Sequence, residues 1–404
     1  MKNKLATLFL SAAAIGFAAA NQGLYYIGSE AQESMPLKWV IGLDSTYDSN
    51  VAPGMSPEDS AWSITPYVGA SFVSMTPQTT WDVYARVGLI YYFDEPSNMD
   101  DTFTQARVGV NLTHRFNERL RLSSRNFLSY ELEPDYSQGV ATTRALGEYL
   151  YWQTDNSLGY RWSERLASYT GFSFTQLDYQ DSSNQDRNTW CLYHQFRYQL
   201  NPQQSVLTFS YRYANTDAGG VASDSTTQYL LVGLEHRFSP NTIMIANAGA
   251  QLHDVDNGSN TTSPYAELTL RSQVNEALMV RAFARYGLEA YDTVQWVGAG
   301  LYDFDQREVL RIGLSGEYAL SPMFSVYSGI DLILANMDDG RQIGGPLTAG
   351  GLSQDLFNIY VGVSMKINDQ FYTTLTYNYT DSSSDFINQD YDRSRVSLGV
   401  RYEF

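Results

Sequence analysis

The chain ends in RVSLGVRYEF, where Val396, Leu398, Val400, Tyr402 and Phe404 alternate with Arg395, Ser397, Gly399, Arg401 and Glu403. Successive side chains of a strand point to opposite faces, so this stretch has one apolar face and one polar face. The same period of two runs through residues 80–93, 102–116, 278–289 and 357–366. In 80–93, Trp81, Val83, Ala85, Val87 and Leu89 oppose Asp82, Tyr84, Arg86, Gly88 and Ile90. A tilted strand crossing a bilayer needs about 9–11 residues patterned this way, with lipid on one side and water on the other. A soluble sandwich can also end in such a strand, and the rest of the chain narrows that reading.

The terminal residue is aromatic, with Tyr402 two positions before Phe404. This ending resembles the C-terminal strand by which the outer-membrane assembly machinery recognises bacterial β-barrels. The resemblance implies that machinery as a partner and Tyr402 and Phe404 as the assembly signal. At the other end, Lys2 and Lys4 precede an apolar run over 5–17 and then Ala18-Ala19-Ala20. That is the pattern of a cleaved secretory signal peptide, whose apolar core is too short to span a membrane. The expected organisation is a leader over 1–20, a short periplasmic segment over 21–36 and a barrel over 37–404. A segment that short is too small for a folded plug. No later run approaches eighteen apolar residues, so an exported chain of this kind is soluble or a closed barrel, the one strand architecture that satisfies its backbone in lipid.

Composition favours the barrel. Aromatic residues make up 14% of the 404 positions, with 31 Tyr, yet the mean hydropathy is −0.31. Barrels combine these because half of each strand faces water while Tyr gathers in interfacial girdles. The formal charge of −18 excludes a nucleic-acid partner, which needs a basic face. Much of the acid falls in loop-like stretches: Asp94, Glu95, Asp100 and Asp101; Asp181 and Asp186; Asp303 and Asp305; Asp381, Asp385, Asp390 and Asp392. These read either as solvated loops or as a mouth that draws in cations or divalent ions bridging lipopolysaccharide. Cys191 is the only cysteine, so there is no intramolecular disulfide, and it reads as a packed thiol.

One short connector recurs: FNERL at 116–120, WSERL at 162–166, LNPQQSV at 200–206, FSPNTI at 238–243, VNEAL at 274–278, LSPMF at 320–324 and INDQF at 367–371. MTPQTTW at 75–81 is an earlier, looser copy. Each is an apolar residue, then Asn or Ser, two turn residues and a return to apolar, and Asn, Ser and Pro suit tight turns. Between them lie stretches rich in Asp, Ser, Gly and Asn, at 94–101, 133–147, 180–188, 214–225, 254–263 and 337–354. Short turn, strand, long loop, strand is the plan of an outer-membrane barrel with short periplasmic turns and longer external loops. The expected fold is all-β: a transmembrane antiparallel up-and-down β-barrel of about 18 strands, or 16 if one weak segment is misread. Residues 293–308 are the hardest to place.

On that fold the polar faces line the lumen, and charged rings there set which solutes pass. The lining candidates are Asp82, Arg86, Arg107, Arg115, Arg212, Arg237, Arg281, Arg285, Glu289, Arg311, Arg395 and Arg401. Most are Arg, so a basic wall sits inside an acidic protein, and each Arg also has the simpler reading of a salt bridge between neighbouring strands. Residues 337–354, long and Gly-rich, are the candidate for an infolded constriction.

Residues 43–72 contain Tyr47-Asp48-Ser49-Asn50-Val51, then an acidic loop and a strand opening near Ile64-Thr65-Pro66. This resembles the Tyr-Asp-Asp-Asn-Ile/Val loop of the second β-barrel porin family, which includes barrels associated with exopolysaccharide operons. Tyr47, Asp48 and Asn50 carry the likeness. Ser49 stands where that family often has Asp, and Ala52 where an aromatic usually follows.

No catalytic, cofactor-binding or metal motif appears. Of four histidines, His253 precedes Asp254 in a pair of the kind used for general-base work, but adjacency in sequence is not convergence in space. The chain is therefore expected to be no enzyme and to need no cofactor. The expected function is an outer-membrane porin of a Gram-negative bacterium, passing small hydrophilic solutes or ions by passive diffusion. The alternatives are a barrel serving exopolysaccharide export and a structural or adhesive surface barrel. Outer-membrane lipid, lipopolysaccharide and the assembly machinery are the expected partners, and the barrel stands alone or packs as a homotrimer.

Overall fold

The structure is a computed structural model that describes residues 34–51, 53, 59–94, 100–132, 148–180, 186–201, 204–290, 293–387 and 389–404. The expected leader and the candidate loop at 133–147 lie outside them. Every regular element among the described residues is a strand: β1 (Met35–Asp48), β2 (Ala61–Met75), β3 (Thr79–Tyr92), β4 (Thr102–Arg115), β5 (Leu120–Glu131), β6 (Tyr149–Arg161), β7 (Leu166–Tyr179), β8 (Arg187–Asn201), β9 (Ser205–Ala218) and β10 (Ser225–Ser239). The second half continues as β11 (Thr242–Val255), β12 (Asn260–Gln273), β13 (Leu278–Leu288), β14 (Val294–Val297), β15 (Gly300–Ala319), β16 (Phe324–Gln342), β17 (Thr348–Ala349), β18 (Leu352–Lys366), β19 (Phe371–Ser384) and β20 (Tyr391–Glu403). Neighbours pair antiparallel, and β1 pairs with β20 from Val40 opposite Glu403 to Asp48 opposite Arg395. The sheet thus closes into an 18-strand up-and-down barrel, with β14 and β17 as short pieces on the long-loop rim.

The recurring connector has a common chemical basis. The Asn or Ser after its apolar residue accepts backbone N–H groups from the far side of the turn. Asn117 Oδ1 takes those of Arg119 and Leu120, and Asn275 Oδ1 those of Ala277 and Leu278. Asn368 does the same for Gln370 and Phe371, and Ser163 for Arg165 and Leu166. A short side-chain acceptor therefore closes these hairpins without extra residues. The leading apolar residues, Phe116, Trp162, Phe238, Val274, Leu320 and Ile367, are all exposed and ring the short-turn rim.

Three expected loops are shorter than the sequence suggests. Strand pairing of β11 with β12 continues to Asp254 opposite Asn260, because Asn257 adopts a left-handed φ of 59° and completes a tight turn. Residues 214–218 extend β9, leaving a short connection to β10. Residues 337–342 extend β16 in register with β15 and pair onward with β17, so much of 337–354 is a strand hairpin.

On the inward face, rings lie flat over glycines. Gly42 faces Tyr67, Gly109 faces Tyr84, Gly171 faces Tyr193 and Gly329 faces Tyr360 directly across neighbouring strands. A Cβ at any of these glycines would collide with the opposing ring. The absent side chain lets each ring pack against the wall instead of projecting into the interior. Replacing Gly109 by Val is expected to lower the urea midpoint of unfolding by an amount worth about 1–3 kcal/mol of overpacking. Gly316→Ala, with no neighbouring atom closer than 3.5 Å, is expected to leave that midpoint unchanged.

Candidate functional site

Parity along the strands separates two surfaces. Trp39, Ile41, Leu43, Val87, Leu89, Leu230, Val232, Leu314 and Leu398 are exposed on the outer face. The residues between them, on the inward face, are polar and largely hydrogen-bonded. Eleven of the twelve candidates lie on strands at the parity opposite these exposed residues, and Glu289 follows β13 directly. The register sets Arg86 against Arg107, Asp82 against Asn111, Arg285 against Arg311 and Arg395 against Asn378.

Most of these charges are paired along the wall. Arg86 Nη2 donates to Asp44 at 2.7 Å while its guanidinium stacks 3.6 Å from the Tyr67 ring. Arg107 binds Glu131 and Arg197 binds Glu235. Arg212 reaches Glu267 at 3.0 Å, where Tyr265 (2.7 Å) and Asn247 (3.0 Å) also donate. Arg401 lies 3.2 Å from Glu403 and 4.8 Å from the Tyr372 ring. Arg395 donates to Asn378 Oδ1 at 3.2 Å. Arg237 lies 3.8 Å from Glu235, Arg281 lies near Met279, and Arg115 stands exposed at the short-turn end of β4.

The densest cluster surrounds Glu289, just past the end of β13. Arg285 binds it, Arg307 donates at 2.9 Å and Arg311 donates twice at 2.8 Å. Burial alone would raise the Glu289 carboxyl, but Arg311, Arg285 and Arg307 outweigh it and hold it well below the usual carboxylate range. The carboxylate therefore stays ionised at pH values where an ordinary Glu protonates.

At the long-loop rim the extended ends of β15 and β16 are fastened on both sides. Arg341 donates to Asp305 at 2.8 Å, to the Asn257 carbonyl at 2.8 Å and to Ser223 at 3.2 Å. The Ser223 and Ser259 amides donate to Asp303 and Asp305. On the other side Phe304 meets Phe386 edge-on at 5.8 Å, and Gln389 links Gln354 to Gln295. Asp303 and Asp305 are thus buried strand residues with partners, not free charges of an acidic mouth. Asp385 likewise accepts from Ser353.

The Tyr47–Val51 segment closes the seam of the barrel. Asp48 forms a buried pair with Arg393, the Asn50 amide folds back onto Asp48, and Asn50 Nδ2 reaches the Asp392 carbonyl. Ser49 and Ser394 bond to each other through backbone and hydroxyl. Val51 is fully buried against Ala61, Tyr92 and Leu132. At the opposite rim Trp39 and Phe404 exchange backbone bonds, and Tyr402 and Phe404 stand exposed with their rings 5.8 Å apart.

His253 and Asp254 point to opposite faces of β11, and His253 is bound instead to Thr227 at 2.9 Å. Among the described residues no group of three or more His, Cys, Asp and Glu side chains comes close enough to hold a metal ion. Sequence reading missed Glu131, Glu267, Arg307 and Arg393 as partners. They share the inward parity of their strands, which was the available signal. Arg307 sits in the stretch whose strand identity was obscure.

No family model matches the chain, and no curated protein matches it in sequence. Solved structures similar to it include the outer membrane protein OpdK from Pseudomonas aeruginosa, at 12% identity and TM-score 0.46, covering 91% of this chain and 99% of that one. Acinetobacter baumannii OccAB4 is similar at 12% identity and TM-score 0.44, covering 92% and 99%. Pseudomonas aeruginosa OccK2 (OpdF) in complex with glucuronate is similar at 10% and 0.46, covering 91% and 98%.

Glu289→Gln removes the carboxylate charge that three guanidinium groups share. It is expected to destabilise the barrel by about 3–5 kcal/mol, the usual cost of breaking a buried ion pair, read as a lower urea midpoint. Arg115→Gln, at an exposed site, is expected to leave the midpoint within error.

Proposed function

We propose that this chain forms a water-filled pore in the outer membrane through which small hydrophilic solutes or ions diffuse passively. The observation that carries the reading is the way the inward face disposes of its side chains. Charged groups pair with strands close by along the wall, and Tyr rings lie flat over glycines, so both leave the interior to water. A perimeter of 16–18 strands typically encloses an aqueous channel rather than a side-chain core. Basic groups outnumber acidic ones along the wall while the whole chain is strongly acidic, so the wall is the candidate for setting charge preference.

In this reading the leader over 1–20 directs export, Tyr402 and Phe404 form the assembly signal, and lipid and lipopolysaccharide surround the exposed belt. Catalysis has no part in it. The likeness of Tyr47–Val51 to barrels of exopolysaccharide operons supports an export conduit as the second reading.

Liposome swelling with neutral solutes of graded size tests the pore. Proteoliposomes of the folded chain are expected to swell fast in small sugars and amino acids and progressively more slowly as solute size rises. A heat-modifiable, correctly folded barrel that gives no swelling in any of them would favour the conduit or a surface scaffold instead.

A further inference from the structure

Halfway along β5 and β6 the outward face turns polar. Ser124 stands opposite Asn156 and Asn126 opposite Thr154 in the strand register. They share the outward parity of Leu128, Trp152 and Leu158, which are exposed. Four hydrogen bonds close a ring. Ser124 Oγ donates to Asn156 Oδ1 at 2.6 Å, and Asn156 Nδ2 to Thr154 Oγ1 at 2.7 Å. Thr154 Oγ1 donates to Asn126 Oδ1 at 2.7 Å, and Asn126 Nδ2 to Ser124 Oγ at 3.1 Å. Apolar neighbours flank the ring, Val110 and Leu112 on β4 and Phe172 and Phe174 on β7.

The ring spends both hydroxyl protons but only part of each amide. An Asn side chain offers two N–H donors and a carbonyl with two lone pairs. Asn126 and Asn156 therefore each keep one donor and one acceptor position directed at the membrane. Hydrocarbon answers neither, and an unsatisfied group there costs several kcal/mol. The remaining donors and acceptors are equal in number and lie side by side, so the patch is complementary to itself.

We propose that this face of β5 and β6 is a contact between two copies of the chain across a two-fold axis within the membrane. Asn126 and Asn156 exchange amide hydrogen bonds with the second copy. A self-complementary patch generates a closed pair, whereas a trimer needs two different patches meeting head to tail. Acyl chains are the competing occupant, and they bring no polar group to this depth.

Cysteine cross-linking of the full barrel in native membranes tests the contact without altering the ring. Cys191, the only cysteine, is buried, so the unmodified chain gives the background. Leu158→Cys, beside the ring, faces its own copy across a two-fold axis. It is expected to give about tenfold more disulfide-linked dimer than Leu252→Cys, which is exposed on β11 far around the wall. Equal yields, or no dimer from Leu158→Cys, would overturn the proposal and leave the patch to lipid. Asn126→Leu combined with Asn156→Leu is expected to weaken the dimer about tenfold, or ~1.4 kcal/mol, by native mass measurement in nanodiscs, with heat-modifiability retained. A heat-modifiable double variant whose dimer is undiminished would also contradict it.

Discussion

A strand in hydrocarbon must find partners for its backbone on both edges, and that single requirement organises this molecule. Seventeen hydrogen-bonded edges out of eighteen would still leave the sheet open, so everything depends on the seam between β1 and β20. The chain invests heavily there. Trp39 and Phe404 bond at one rim, and Asp48, Ser49 and Asn50 grip Arg393, Ser394 and Asp392 at the other. The segment that resembles a porin family in sequence is the one that fastens this seam, which gives the motif a mechanical meaning independent of any solute.

Closure at this perimeter creates a wide interior, and the inward side chains must then be kept from filling it or from fluctuating across it. Two devices do so. Bulky rings are accommodated by an opposing glycine, as at Tyr84 over Gly109. Guanidinium groups are anchored by carboxylates on nearby strands, as at Arg212 with Glu267 and the three arginines around Glu289. Both hold the inward side chains against the wall, which is what the proposed diffusion of solutes through the interior requires.

Much of this plan was legible in the sequence because strand parity is strict and most short turns carry the same Asn or Ser acceptor. Strand bounds such as Thr102–Arg115 and Leu278–Leu288 follow closely from the alternation. The upper half of β15 was not legible, since Asp303, Phe304 and Asp305 read as a loop when composition is taken for exposure; Arg341, Phe386 and the Ser223 and Ser259 amides cover them in the fold. The β11–β12 turn was overestimated for a similar reason: Asp, Asn, Gly and Ser favour loops, but Asn257 at positive φ needs only a few of them. The polar ring on β5 and β6 breaks the expected apolar outer face, and no single-strand pattern announces that Ser124 and Asn156 meet. Which charges pair was equally hidden, because Arg86 and Asp44 lie on strands separated by a third.

Single-channel recording of the folded chain in a planar bilayer tests the central claim, that closure leaves an open aqueous lumen. The account predicts discrete, long-lived conductance steps that rise with salt concentration. A heat-modifiable barrel that inserts stably and passes no current would contradict it.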